Sequence, residues 1–175
     1  LVFQVALKLK EFSKNPKLGI KIILHKNIPI TAGLAGGSSD AAATLKVLIK
    51  LWHLKISRQK LFEIARNLGK DVPYFLSSNL CYLTGYGDIP HKLKVKLPKI
   101  WLIIVYPNIE QKPSTGWMFQ HLDFSLTGKS IYKEKLLLTA IKTKNQKNIL
   151  DNLHNDFETM VFNCFPETQE IVNGL

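Results

Sequence analysis

The chain has 175 residues, 46% of them hydrophobic, with nine Phe, three Trp and five Tyr, so one large domain or two small ones can bury a real core. Its net charge is +11, from 24 Lys+Arg against 13 Asp+Glu. No apolar run approaches the roughly 20 residues of a membrane span, and "LVFQVALKLKEF" lacks the charged start, apolar block and cleavage site of a signal peptide.

The start also lacks an initiator Met, so Leu1 is not expected to be the natural start. A basic balance can indicate nucleic acid, an anionic membrane or an acidic small substrate. Almost all the basic residues are Lys, scattered as "KLK", "KNPK" and "KTKNQKN" rather than clustered with aromatics. That pattern speaks against general nucleic-acid binding. It fits a polyanionic small substrate without demanding one. Cys81 and Cys164 form neither CxxC nor zinc spacing, and read as free thiols of a reducing cytoplasm. His25, His53, His91, His121 and His154 are isolated and read as ordinary surface or edge histidines, so no metal site is expected.

In chain order, residues 1–13 have apolar Val2, Val5, Ala6, Leu9 and Phe12 near helical spacing. "NPKLG" breaks that helix. "IKIILHK" (20–26) alternates and is β-branched, which predicts a strand. Ser39 to Leu54 predicts a long helix, and Ser57 caps another through Leu61, Ile64, Ala65 and Leu68. Pro73 is expected to interrupt the helical pattern at Val72. "LCYLTG", "KLKVKL" and "WLIIVY" predict strands, and "PNIEQKPSTG" a loop. Ser114 or Thr115 can cap a short helix through Phe119. Ile131–Ile141 and Ile149–Leu153 are helical, and "NDFETMVFNCF" and "ETQEIVNGL" end the chain, the latter as a helix. The composition shift near Leu97–Lys99 divides residues 1–97 from 98–175.

Two stretches carry chemistry. "IPITAGLAGGSSDAAATL" (Ile28 to Leu45) puts Gly33, Gly36 and Gly37 between a strand pattern and a helix expected to begin at Ser38 or Ser39. Glycine lets backbone N–H groups approach a ligand without Cβ interference, and successive N–H groups make an anion-binding concavity. The helix start adds unpaired N–H groups and about half a positive charge. Loop and helix together suit a phosphate chain, with Ser38 and Ser39 as hydroxyl donors. A helix cap with Asp40 in the first turn needs one glycine at most, so the dense loop points to phosphate. The P-loop pattern GxxxxGKS/T is absent: Gly128-Lys129-Ser130 is preceded five residues earlier by Asp123. GxGxxG is absent too. In the second stretch, "LGKDVPYFL" (Leu68 to Leu76), Asp71 could serve as general base on a hydroxyl, or could cap a turn ahead of Pro73.

Taken in this order and spacing, the two stretches resemble the GHMP small-molecule kinases. "PITAGLAGGSSDAAATL" is similar to their glycine-rich phosphate loop. "LGKDVPYFL", "TGYGDIP", "VYPN…STGWMF" and "HNDFE" resemble the branch acting on 4-diphosphocytidyl-2-C-methyl-D-erythritol. The resemblance implies an α+β, two-lobed fold: a ribosomal-protein-S5-domain-2-like lobe over 1–97 and a ferredoxin-like lobe over 98–175. It implies a bacterial cytoplasmic enzyme of non-mevalonate isoprenoid synthesis that transfers phosphate from ATP to the substrate 2-hydroxyl, with Mg²⁺. Pro29, Ile30, Thr31, Ala32, Gly33, Leu34, Ala35, Gly36, Gly37, Ser38 and Ser39 would wrap the ATP phosphates. Asp71 would accept or orient the substrate hydroxyl proton, and Thr115 and Phe119 would touch substrate.

The sequence also departs from the family pattern. No Lys-x-Asn-type segment precedes the glycine loop, and no Gly-Ser-Gly-type loop follows the last helix. Both lobes are therefore expected to be truncated, and the 175-residue piece to be poorly active. Two alternatives remain: another GHMP kinase, acting on homoserine, mevalonate or a sugar, and a non-catalytic RNA-binding module.

Overall fold

In a computed structural model of the chain, residues 1–77, 80–107 and 114–174 are described. The chain divides into two compact units, Leu1–Lys94 and Val95–Leu175.

The first unit is built around helix α2 (Gly36–Leu51). Helix α1 (Val2–Ser13) turns Val5 and Leu9 inward at the i, i+4 spacing that puts them on one stripe, and it ends on Lys14 in a left-handed conformation. α2 answers with Ala41, Ala42, Leu45 and Leu48, all at most 2% exposed. The two alanines keep that face of α2 thin, so neighbouring helices can approach closely. Helix α3 (Arg58–Leu68) adds Ile64 and Ala65, and helix α4 (Val72–Ser77) adds Val72. Ser57 caps α3 as expected, its hydroxyl accepting from Lys60 N at 3.2 Å. α4 packs on both α2 and α3. Pro73 does not keep Val72 out of a helix. It occupies the second position of α4, where a helix has no internal partner for an N–H and proline loses nothing.

Strand β1 (Cys81–Thr84) pairs antiparallel with β2 (Ile89–Lys92), Cys81 opposite Lys92 and Thr84 opposite Ile89. Of the four expected strands, "LCYLTG" forms β1, while "KLKVKL" contributes only Lys92 to β2. No strand is assigned over 20–26 or 101–106. Ile20, Ile22, Ile23 and Leu24 lie exposed, as does the run from Trp101, 93% exposed, to Tyr106. β-branched composition makes a segment fit a pleated surface, but a strand exists only where a neighbour completes its ladder of N–H and C=O groups. Among the described residues neither segment joins a sheet.

In the second unit the described residues form five helices: α5 (Thr115–His121), α6 (Ile131–Thr143), α7 (Gln146–Asp151), α8 (Glu158–Cys164) and α9 (Pro166–Asn173). Ser114 caps α5 by accepting from Trp117 N at 3.1 Å, and Asn145 caps α7 by accepting from Asn148 N at 3.0 Å. Most of the expected loop "PNIEQKPSTG" falls on 108–113, outside the described residues. Gly128 sits in a left-handed turn (φ 72°) ahead of α6. Its N–H donates to Asp156 Oδ2 at 3.2 Å, while Asp156 Oδ1 meets His154 Nε2 at 2.7 Å. Asn155 turns inward on its own segment, accepting from Phe157 N at 3.1 Å. "HNDFE" thus clasps the turn before α6 to the start of α8.

Two outcomes follow for these units. Leu45→Ala should cost the first unit about 2–5 kcal/mol in urea unfolding, since the cavity adds to the lost transfer energy, whereas exposed Val47→Ala should stay within about 0.5 kcal/mol. The His154 hydrogen bond, aided by Gly128 N–H, holds the Asp156 carboxyl below its ordinary value. Its clasp is therefore fully present above the usual carboxylate range of about 4, and is lost as pH falls through the lower folded value. The Gly128 amide, followed by NMR, should show that acid transition in the natural chain and lose it in Asp156→Asn. An unchanged Gly128 amide in the variant would refute the clasp.

Candidate functional site

The glycine stretch folds as a tight approach to a helix start. The side chains of Lys26 and Ile28 lie over Gly36. A Cβ there would stand 2.9 Å from Ile28 Cγ2, 3.1 Å from Ile28 Cβ and 3.1 Å from Lys26 Nζ, so a larger residue would have to displace the branched Ile28 side chain. Left-handed backbone then recurs at Thr31 (φ 60°), Gly33 (72°) and Ala35 (50°). For Thr and Ala this conformation carries a cost of about 1–2 kcal/mol each. Strain of this kind persists where the surroundings hold it and collects at ligand-binding loops. Alternation of left-handed residues is also the backbone habit of anion-binding concavities.

The helix begins earlier than the sequence suggested. α2 starts at Gly36 with Ala35 as its N-cap, not at Ser38 or Ser39. The amides of Ser38 and Ser39 both donate to Ala35 O at 3.0 Å. Ser39 does not cap: its hydroxyl donates back to Gly36 O at 2.8 Å. Among the described residues the amides of Gly36 and Gly37 have no acceptor. Of the two, Gly37 is exposed and Gly36 is buried, so the Gly37 N–H and the positive end of a 16-residue helix dipole are what the end of the loop presents. Asp40 is not a first-turn residue either. It lies one turn in, where its Oδ2 accepts from Lys26 Nζ at 2.7 Å. This ion pair fastens the incoming segment to α2 and places an ammonium beside Gly36.

Asp71 stands close by, in the same unit. α3 ends on Gly69, and a Cβ on Gly69 would come within 3.9 Å of Ser38 Oγ. The turn carrying Asp71 therefore borders the first turn of α2. The fold gives the Asp71 carboxylate no capping work. The second position of α4 is Pro73, which has no N–H, and the Tyr74 N–H goes to Asp71 main-chain O at 3.2 Å. Asp71 is exposed, and among the described residues its carboxylate accepts no hydrogen bond and makes no ion pair. Such a group is available to take a proton.

Sequence reasoning missed a second anchor. Asp88, in the β1–β2 turn "TGYGDIP", is only 8% exposed. It lies 3.9 Å from Arg66 Nε and 3.7 Å from Lys70 Nζ, and accepts from Tyr86 N at 3.2 Å. The signal was present: Arg66 and Lys70, four residues apart at a helix C-terminus, are two cations in want of a carboxylate. Lys26 and Asp40 were likewise unread as a pair, since nothing in the spacing joins a residue before a loop to one after it.

Thr115 and Phe119 lie in the second unit. Thr115 opens α5, and Phe119, 50% exposed, meets Phe157 edge-on at 5.1 Å. In that resembling segment, Asn108 to Pro113 lie outside the described residues. Among the described residues no group of three His, Cys, Asp or Glu side chains could cage a metal ion, and no helix is long and apolar enough to cross a membrane.

Residues 1–79 match the family described as GHMP kinases N terminal domain. The chain is 38% identical over 173 residues to a 4-diphosphocytidyl-2-C-methyl-D-erythritol kinase of Syntrophus aciditrophicus, covering 98% of this chain and 58% of the relative. A protein of the same name from Chlorobium phaeobacteroides is 37% identical, with 100% of this chain and 60% of the relative covered. The chain thus spans about three fifths of the length of these relatives. A crystal structure of 4-(cytidine 5'-diphospho)-2C-methyl-D-erythritol kinase superposes with a TM-score of 0.67 at 26% identity, over 97% of this chain and 59% of that one. Residues 1–79 thus match the GHMP kinases N-terminal domain, and nearly the whole chain is similar to part of proteins named as 4-diphosphocytidyl-2-C-methyl-D-erythritol kinases.

Proposed function

We propose that the protein transfers the γ-phosphate of ATP to the 2-hydroxyl of 4-diphosphocytidyl-2-C-methyl-D-erythritol. One observation carries the reading. A strained loop leads into a helix start whose exposed Gly37 amide is unpaired, and the turn carrying Asp71, an exposed carboxylate with no structural partner, borders the first turn of that helix. The relatives bearing that enzyme's name support the choice of substrate.

In this reading the polypeptide from Pro29 to Ser39 wraps the phosphates, with loop amides and the exposed Gly37 N–H donating to phosphate oxygens. Those donors are already oriented, so they stabilise charge in the transition state without reorganising; a single such donor is worth roughly 10²–10³ in rate. Asp71 accepts the proton of the substrate hydroxyl as its oxygen attacks the γ-phosphorus and the bond to the ADP oxygen breaks. Little covalent chemistry falls to the protein, whose contribution is alignment and charge. Mg²⁺ would enter with ATP and neutralise phosphate charge. The residues fit an ion held chiefly by phosphate oxygens and water rather than by a protein cage. Residues 1–97 then form the nucleotide lobe, and Thr115 and Phe119, in 98–175, contact the substrate.

Two measurements test this. ATP with Mg²⁺ should raise the melting temperature of the chain, and Gly36→Val should abolish the rise, because its side chain collides with Ile28 and with the Lys26 ammonium beside the helix start. RNA raising the melting temperature while ATP does not would favour a nucleic-acid module. In the full-length enzyme, Asp71→Asn should lower kcat by about 10²–10⁴ in a coupled ADP-release assay with ATP affinity unchanged. Normal turnover would remove Asp71 from the chemistry, and turnover with homoserine or mevalonate alone would refute the substrate.

A further inference from the structure

Lys70 is the immediate neighbour of Asp71, and its ammonium rides on a flexible four-carbon stem. An ammonium on so flexible a stem, one residue from a carboxylate, can reach it. A paired carboxylate is held in its charged form and has a weaker pull on a substrate proton. The structure places Lys70 elsewhere. Its Nζ lies 3.7 Å from Asp88 Oδ2 and 5.4 Å from the centre of the Tyr86 ring. Asp88 is itself fixed. Its carboxylate is 11% exposed, Tyr86 N donates to it, Arg66 flanks it, and Arg66 Nε also donates to Asp88 O at 3.4 Å. The left-handed turn that presents it is tight: a Cβ on Gly85 (φ 68°) would stand 3.0 Å from Asp88 Oδ1.

We propose that Asp88 is a positioning residue, holding the Lys70 ammonium off Asp71 so that the Asp71 carboxylate stays open to the substrate hydroxyl. The other charged groups on the elements packed against α4 are engaged or exposed. On α2, Asp40 pairs with Lys26, Lys46 donates to Phe75 O, and Lys50 is exposed. On α3, Lys60 pairs with Glu63 and Arg58 lies over the Phe62 ring. On the hairpin, His91 meets Thr84 and Lys92 is exposed. Losing the Asp88 carboxylate would free two cations, but Arg66 keeps its hydrogen bond to Asp88 O, so Lys70, the chain neighbour of Asp71, is the one released beside it.

The inference rests on the reading of Asp71 given above, but its test involves no turnover, so the two can fail separately. The ¹⁵N-lysine ammonium signals of the 175-residue chain are recorded for the natural sequence, Asp88→Glu, Asp88→Asn and Asp88→Asn/Asp71→Asn. The Lys70 signal should keep its natural position in Asp88→Glu and shift in Asp88→Asn. It should shift again when Asp71→Asn is added, because Lys70 has moved to Asp71. A backbone amide spectrum of each variant reports that the first unit is folded, and Lys70→Met identifies the signal. A Lys70 signal indifferent to Asp88→Asn overturns the proposal. So does one that shifts in Asp88→Asn but ignores the added Asp71→Asn, which would leave Asp88 with a purely structural role.

Discussion

The packing of the Lys26 and Ile28 side chains over Gly36 is the constraint on which the first unit's site depends. A side chain at 36 would have to displace Ile28 and crowd the Lys26 ammonium that pairs with Asp40. The loop ends would then no longer be pinned at both sides. The left-handed conformations of Thr31 and Ala35 persist only while the surrounding geometry enforces them. The same demand for smallness continues along α2. Ala41 and Ala42, buried to 1% or less, keep the helix face thin. Small residues on different faces of α2 thus serve two purposes: Gly36 makes room for Ile28 and Lys26, and Ala41 and Ala42 let the core pack closely.

That core in turn fixes Asp71. Val72, fully buried, locks the first residue of α4 into the cluster formed by Leu45, Ile64 and Ala65. Asp71 is the residue immediately before, so its backbone is held while its carboxylate is left outside. Pro73 completes the arrangement by removing an amide that would otherwise compete for that carboxylate. The hydrophobic anchor, the missing N–H and the free acid are three consecutive residues of the sequence.

How much of this was legible follows from the range of the interactions. Elements fixed by local signals were read correctly. α1 followed its i, i+4 pattern, and α3 and α5 began behind Ser57 and Ser114, whose hydroxyls make the expected caps. The start of α2 was misplaced because serine signals a cap, whereas here Ala35 takes that position through a left-handed φ that its side chain does not advertise. The strands expected at 20–26 and 101–106 failed because composition reports fitness for a sheet, not the presence of a neighbour. Asp71 was visible as a candidate, but its freedom from capping was not, since that depends on where the Tyr74 amide goes. Asp88 escaped notice because its partners, Arg66 and Lys70, arrive from a different element.

The exposed run from Trp101 to Tyr106 bears on the chain's colloidal behaviour. It is six consecutive large apolar residues without charge or proline, the composition that stacks into cross-β order when copies meet. Lys92, Lys94, Lys96 and Lys99 stand just ahead of it, and the chain as a whole carries +11. Like charges crowded beside the sticky segment repel an approaching copy over about a Debye length, roughly 10 Å at 0.1 M salt and about 3 Å at 1 M. Dispersal of this chain is in that respect electrostatic, and concentrated salt weakens the lysine barrier that keeps one Trp-Leu-Ile-Ile-Val-Tyr segment from finding another.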